Sequence, residues 1–272
     1  MIEQDHSTEP IQQKPPLPHE ELTDVIRLTL WAGQLLLQYG AESARIEETA
    51  HHIGTGLGCN WLDIFVLPEG LLITTISGEE FRTKARRVTR LGVNFAIVDA
   101  VNDVSRRVYE GTVDRFALRR ELRRISDMTG HYNRWFIVMM VGLGCAAFNR
   151  LFGGDAAGFA ITFFAASCAM FIRQELEKRY LNFVVVTLMS AFVAGVIASM
   201  SYTLDLSDKP QLALAASVLL LIPGVPLINA AEDLIQGHIA SGIARGVMGG
   251  IITLAIAVGL TLAIMITGIS GL

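Results

Sequence analysis

Apolar residues recur along this chain in two rhythms, and the change between them falls near residue 134. In LTDVIRLTLWAGQLLLQ (22–38), Leu22, Val25, Ile26, Leu30 and Leu37 fall on one helical face. Gly40 is expected to stop that helix, and Ser43 to cap a second one running to about Gly54. WLDIFVL and LLITTIS are β-rich runs separated by Pro68-Glu69-Gly70, a hairpin signal, and FRTKARRV offers a third strand. Helices are then expected over Gly92–Tyr109 and Thr112–Ser126. The pattern predicts a small α+β domain over residues 21–130, about 110 residues, enough for one core.

Beyond residue 130 the rhythm gives way to long apolar runs. Crossing the hydrocarbon takes about 20 mostly apolar residues. Five candidate spans follow, at 135–152, 156–172, 183–202, 212–228 and 243–267, the second short and the fourth broken. The predicted fold class is therefore a membrane α-helical bundle of five transmembrane helices (131–272) behind the small α+β domain. Basic residues set the orientation. Arg123, Arg124 and Arg134 precede the first span, Arg173, Lys178 and Arg179 separate the second from the third, and Arg245 separates the fourth from the fifth. The opposite loops carry Arg150 and Lys209 beside Asp155, Asp205 and Asp208. The N-terminal domain is thus expected in the cytoplasm and the C-terminus on the far side. Small residues in GLGCAA, FAASCAM, AFVAG and Gly246-x-x-x-Gly250 allow close helix packing, which by itself says nothing of transport.

The fourth span is irregular. Leu212–Ile222 is almost wholly apolar, then Pro223, Gly224 and Pro226 interrupt it, with Asn229, Glu232 and Asp233 behind. A proline removes a backbone donor and clashes with the preceding turn. Broken backbone at membrane depth is tolerated where it is buried in protein or lines a wet cavity. Secondary transporters use such breaks to hold substrates or coupling ions. The plainer reading ends the span at Pro223–Pro226 and leaves the acids in the cytosol, and the pattern alone does not separate the two.

Composition sharpens the division. Hydrophobic residues make up 51% of the chain, and the mean hydropathy is +0.45, too high for an ordinary soluble domain. Residues 1–134 hold 16 Lys/Arg and 19 Asp/Glu, leaving 6 and 7 for the rest, so the two halves meet different solvents. The net charge of −4 carries no nucleic-acid signature. Residues 1–20, polar and proline-rich without an apolar core, are expected to be a disordered tail rather than a signal peptide. Cys59, Cys145 and Cys168 form no CxxC and are read as reduced core residues.

Candidate chemistry in the N-terminal domain is sparse. Glu47/His51 and Glu48/His52 are i,i+4 pairs of the kind that hold a metal, but no third ligand has matching spacing, so a solvated face is preferred. RTKARRVTR (82–90) suits phosphate or lipid headgroups no better than it suits a solvated strand edge. In DRFALRRELRR, Phe116, Leu118, Leu122 and Ile125 alternate with arginines, as in a helix resting on an anionic leaflet. There is no Gly-rich phosphate loop and no GxSxG, which argues against an ATP-driven pump and against a serine hydrolase; no cofactor or metal is expected.

LLLQYGAESARIEETAHHIGTGLG, GLLITTISG, ITFFAASCAMFIRQ and AASVLLLIPGVPLINAAEDLIQGHIASGIAR resemble the threonine/serine exporter family, in its split two-component form, from about Leu22 to the C-terminus. Fused members carry two five-span halves behind the cytoplasmic domain, and this chain has the domain and one half. The resemblance implies a bacterial inner-membrane exporter of small polar metabolites driven by the proton gradient. It also implies a separate YjjB-type partner of about five spans, inserted with opposite topology so that the site lies at the repeat interface. The split form implies C4 dicarboxylates such as succinate, and the fused form threonine and serine. For a dicarboxylate, Arg173, Arg245 and the Pro223–Pro226 break are the candidate partners; for an amino acid, Glu232 or Asp233 would accept the ammonium, or relay protons. The family's Gly40-Ala41-Glu42-Ser43 signature reads as a helix break and cap, with gating as the alternative. Two other classes compete, a membrane-tethered hydrolase acting through the N-terminal domain and a non-transporting scaffold. The first lacks a nucleophile–base pair, and the second leaves the prolines unexplained.

Overall fold

A computed structural model describes residues 15–78, 80–88, 92–128 and 132–269. The expected tail up to residue 14 and the chain end at 270–272 lie outside these residues. The chain divides into two compact units: residues 1–130 with Val225–Gly246, and His131–Gly224 with Val247–Leu272.

The first unit opens with α1 (His19–Gln38), which begins inside the stretch expected to be a tail. The Leu17 N–H just before it donates to Ser77 Oγ at 2.8 Å, so the ordered chain starts earlier than composition suggested. After α2 (Ser43–Gly56), strands β1 (Trp61–Leu67), β2 (Gly70–Ser77) and β3 (Glu80–Arg87) form an antiparallel meander in the order β1-β2-β3. The register sets Phe65 opposite Leu72 and Leu72 opposite Ala85. Because side chains alternate across a strand, Leu62, Val66, Leu71 and Ile73 share the inner face, where they are buried with Ile26, Leu36, Ile46 and Ile53. Each fully buried aliphatic side chain of this kind contributes roughly 1.5–3 kcal/mol.

Helices α3 (Phe95–Tyr109) and α4 (Arg115–Ser126) complete the layer. Asn94 and Asp114 cap them by accepting the N–H groups of Ala96 and Ala117, which places both starts three residues later than the periodicity predicted. The structure corrects the reading of α4 as a helix lying on a lipid leaflet. Leu118, Leu122 and Ile125 are at most 1% exposed and join the domain core, so that apolar stripe is already satisfied; Phe116 alone stays out.

The second unit contains α5 (Arg134–Leu151), α6 (Ala156–Lys178), α7 (Phe183–Thr203), α8 (Pro210–Ser217), a 3₁₀ turn (Leu219–Leu221) and residues 247–267 of α10 (Ile239–Thr267). α5, α6, α7 and α10 are each long and apolar enough to cross a membrane. A fifth crossing exists only if the pair 210–221 and 224–235, bent at its break, counts as one. The second span, read as short, runs on through Arg173 to Lys178. Small residues set the packing. A Cβ on Gly259 would lie 2.5 Å from Leu188 O and 2.9 Å from Ala191 Cβ, and one on Gly142 would lie 2.1 Å from Ser167 Oγ. Gly250, half of the expected Gly-x-x-x-Gly pair, meets nothing within 4 Å. Cys145 is buried as expected, but Cys168 is exposed.

At one end of this unit Asp155 caps α6 through the Gly158 N–H (2.8 Å) and also accepts from Ser207 Oγ (2.7 Å) and the Asp208 N–H (3.2 Å). The Ser207 hydroxyl, with the Gly158 N–H next, holds its carboxyl below the usual range.

Candidate functional site

Within the first unit, the residues that follow the proline break return to the connector between α1 and α2. Ile222 is extended (φ −62°, ψ 125°), and α9 (Gly224–Ile235) starts directly after Pro223. Pro226 therefore sits in the first turn of α9, where a missing N–H costs nothing. The break is confined to Ile222–Pro223, narrower than the Pro223–Pro226 interval read from sequence.

Asn229 and Asp233 are four residues apart on α9 and share its buried face, at 9% and 0% exposure. Gly237, with φ +88°, ends the helix, and the His238 N–H closes back on Asp233 O at 2.8 Å. α10 then starts against α9: a Cβ on Gly242 would come within 2.7 Å of Leu234 Cγ and 3.0 Å of Ala230 O. Ser241 Oγ donates to Val66 O in β1 at 3.0 Å. One helical turn on, Arg245 is carried beside Asp233.

These three side chains hold the Gly40-Ala41-Glu42-Ser43 connector. Gly40 turns with φ +92°, a conformation an L side chain rarely adopts, and its carbonyl accepts from Asn229 Nδ2 at 2.8 Å. Ala41 O accepts from Arg245 Nη2 at 3.0 Å. The Ser43 N–H donates to Asp233 Oδ1 at 2.9 Å. This corrects the expectation that Ser43 caps α2. Glu42 occupies the cap position, Ser43 is the first helical residue, and its hydroxyl has no partner among the described residues. The cap is supplied by the carboxylate of Asp233, from 190 residues away in sequence.

Electrostatics favour each contact. The end of α1 presents carbonyls with partial negative charge, and Arg245 meets them; the start of α2 presents N–H groups, and Asp233 meets those. Arg245 Nη1 lies 3.0 Å from Asp233 Oδ2, in a charge contact rather than a directed hydrogen bond, and the Arg245 side chain is 15% exposed. Glu42 does not join the clasp and pairs with Arg45 at 2.7 Å.

Glu47 and His238 sit beside the clasp, Glu47 Oε1 lying 3.5 Å from His238 Nδ1. Burial pushes the Glu47 carboxyl up, His238 opposes the rise, and the charge of Asp233 adds to it. The i,i+4 pairs Glu47/His51 and Glu48/His52, read from sequence as a solvated face rather than a metal site, lie on α2, where Glu47 meets His238. No group of three His, Cys, Asp or Glu suited to a metal occurs among the described residues.

Of the residues singled out from sequence, Asn229, Asp233 and Arg245 come together. Glu232, next to Asp233, is half-buried and has no hydrogen bond or ion pair from its side chain among the described residues. Arg173 lies in the second unit, paired with Glu177 one turn along α6 at 2.9 Å. Sequence reasoning missed Glu47, His238 and Ser241 as neighbours of the clasp. The helix-stop pattern of Gly237 followed by His238 was the available signal.

A family model described as "Putative threonine/serine exporter" matches residues 27–267. The chain is 36% identical over 253 residues to the "Probable succinate transporter subunit YjjP" of Escherichia coli (strain K12), covering 93% of this chain and 98% of that protein. A protein of the same description from Klebsiella aerogenes is 36% identical over 248 residues, 91% of this chain and 95% of its own length. The "Threonine/serine exporter" of Corynebacterium glutamicum is 22% identical over 236 residues, 84% of this chain but 48% of that longer protein. No solved structure matches.

Proposed function

The chain belongs to the threonine/serine exporter family of multi-pass membrane transporters, and from that premise we propose that it is the five-span subunit of an inner-membrane, proton-driven exporter of C4 dicarboxylates such as succinate. In this reading it works with a separate five-span subunit of the YjjB type, its N-terminal domain in the cytoplasm and its C-terminus in the periplasm. The word "subunit" in the names of two relatives, and "succinate" in the same names, support the partner and the substrate class.

The observation that carries the proposal is the fully buried Asp233 paired with Arg245. A buried ion pair is poorly explained by stability alone, because desolvation offsets most of its attraction. Intramembrane or deeply buried ionisable groups commonly belong to proton or substrate pathways. Ionised, Asp233 holds both the Ser43 N–H and Arg245. Protonation removes the charge that keeps Arg245 engaged, and the guanidinium fork is then free for a substrate carboxylate, which it matches in two parallel hydrogen bonds. Proton entry and anion capture would thus be one exchange at one arginine, with the Asp233 cap on the Ser43 N–H weakened in the same step. The break at Ile222–Pro223 sets the start of α9, which carries Asn229 and Asp233 into the clasp, and Glu47, whose carboxyl feels the charge of Asp233, and Glu232, next to Asp233 in sequence, are the candidate second acids for the proton.

The test is uptake of labelled succinate and threonine into inside-out vesicles under an imposed proton gradient, with and without the five-span partner. Succinate uptake that needs both the partner and the gradient, and disappears in Asp233→Asn, is the expected result. Threonine uptake instead would assign the amino-acid reading that the Corynebacterium relative's name favours. Full flux in Asp233→Asn would remove the clasp from the mechanism.

A further inference from the structure

One face of the first unit carries cations that the exporter reading does not use. Lys84 and Arg86 alternate along β3, and α1 packs against both β3 and α4. Arg27 from α1, Arg86 from β3 and Arg119 from α4 line a groove of about 380 Å³ whose apolar wall is Leu28 and Trp31. Arg119 pairs with Asp24, whereas Arg27, Lys84 and Arg86 have no carboxylate partner among the described residues. Lys84 lies close enough to the others to be affected: its ammonium is held below the usual lysine range, by burial first and then by Arg27 and Arg82.

Charged residues on a strand edge commonly serve only to keep the edge from pairing with another chain. That purpose needs no convergence, whereas here three separate elements bring like charges to one groove beside an indole ring. Asp24 answers only Arg119, so Arg27, Lys84 and Arg86 are left as an excess of like charge; such an excess destabilises the fold, and an anion would relieve the repulsion.

We propose that this groove binds a phosphate-bearing anion of at least two negative charges. The Arg27 and Arg86 guanidinium groups are the candidate forks, Lys84 a supplementary point charge, and Trp31 an apolar wall for whatever the phosphate is attached to. Guanidinium forks match phosphate oxygens in pairs, which a single ammonium does not. The same chemistry is offered by a free di- or triphosphate and by an anionic phospholipid headgroup. The inference does not depend on the transported substrate.

The experiment uses the full chain in nanodiscs of zwitterionic lipid. Calorimetric titration with inorganic pyrophosphate tests the free anion, and flotation with cardiolipin vesicles, whose headgroup carries two phosphates, tests the headgroup. Replacing Arg27, Lys84 and Arg86 by Gln should weaken the interaction about tenfold or more, because the charge-assisted hydrogen bonds are lost, and should leave the unfolding midpoint without ligand equal or higher. Lys84→Gln alone should weaken it in the same direction, a check available if the triple variant folds poorly. Arg123→Gln with Arg124→Gln, on exposed positions of α4 outside the groove, should have little effect. Pyrophosphate binding lost in the triple variant assigns a soluble ligand, and vesicle binding lost in the same way assigns the lipid. No binding of either by the wild type, or equal loss in the Arg123/Arg124 variant, overturns the proposal.

Discussion

Asp233→Asn is the sharpest perturbation of the clasp, because asparagine keeps the size and the acceptor while removing the charge. The amide oxygen can still accept from the Ser43 N–H, now 2.9 Å from Oδ1, so the α2 cap weakens without vanishing. What disappears is the partner of Arg245 at 3.0 Å. Breaking a buried pair from one side costs about 3–5 kcal/mol, because a charge is left uncompensated. Arg245 retains Ala41 O and is 15% exposed, which moves the expected cost toward about 2–3 kcal/mol. Arg245→Gln should cost more, since it strands a carboxylate at 0% exposure that also loses the charge opposing it. Asp233→Asn with Arg245→Gln should recover part of the loss, giving a coupling energy of about 2 kcal/mol. At roughly 2–4 °C per kcal/mol for a chain of this size, the coupling is readable as a non-additive shift of about 4–8 °C. Trp31 and Trp61 report on the same unit, so the assay is intrinsic fluorescence during heating of the purified, detergent-solubilised variants. Single variants whose effects simply add, to within about 0.5 kcal/mol, would show that the two charges do not sense each other and would refute the reasoning.

Pro223→Leu is expected to reduce flux strongly with normal membrane insertion, while Pro226→Leu, in the first turn of α9, should transport nearly normally; equal loss from both would place the break elsewhere. Gly40→Ala forces a side chain into φ +92° with its Cβ 3.3 Å from Gly92 O, and should lower stability by about 1–2 kcal/mol, read as a lower melting midpoint. Glu47 has a folded pKa raised above its unfolded value, so its relative stabilisation is complete below the ordinary carboxylate range and is lost as pH rises through the raised pKa. Melting curves across pH 4–7 should therefore flatten in Glu47→Gln, whose midpoint at neutral pH should equal or exceed the wild type's. Gly259→Ala puts a methyl 2.5 Å from Leu188 O and should cost about 1–3 kcal/mol through separation of α7 and α10, seen as a lower midpoint in detergent.

Much of the architecture is legible in the sequence because local physics governs it. The α1 periodicity, the strand runs around Pro68-Glu69-Gly70 and the long apolar helices each announce themselves within a window of twenty residues. Errors arise where one pattern serves two environments. The stripe Leu118, Leu122, Ile125 is amphipathic whether it faces lipid or a protein core, and only the presence of α1 and α3 decides the matter. Pro226 looks disruptive in any apolar run, yet it is harmless once a helix begins at Gly224. Cys168 lies in a run as apolar as that around Cys145, and the two are sorted by which side of their helices faces a neighbour.

The clasp was half visible. Asn229, Asp233 and Arg245 stood out as polar residues beside a broken span, but their partners are backbone atoms of Gly40, Ala41 and Ser43, and a backbone carbonyl has no sequence signature. The same fact explains the connector itself. A helix break followed at once by a new helix exposes carbonyls on one side and N–H groups on the other, and burying both is favoured by a cation and an anion side by side. Ser43 could have satisfied one N–H locally as a cap, at no charge cost. Its displacement by a carboxylate from 190 residues downstream makes the strength of the α2 cap depend on the charge state of Asp233. A local serine cap would leave the connector indifferent to protons and to anions. The remote one ties the start of α2 to Asp233 and Arg245, and on the proposed function these are the two groups for which a proton and a substrate carboxylate would compete, so the same clasp would couple the two.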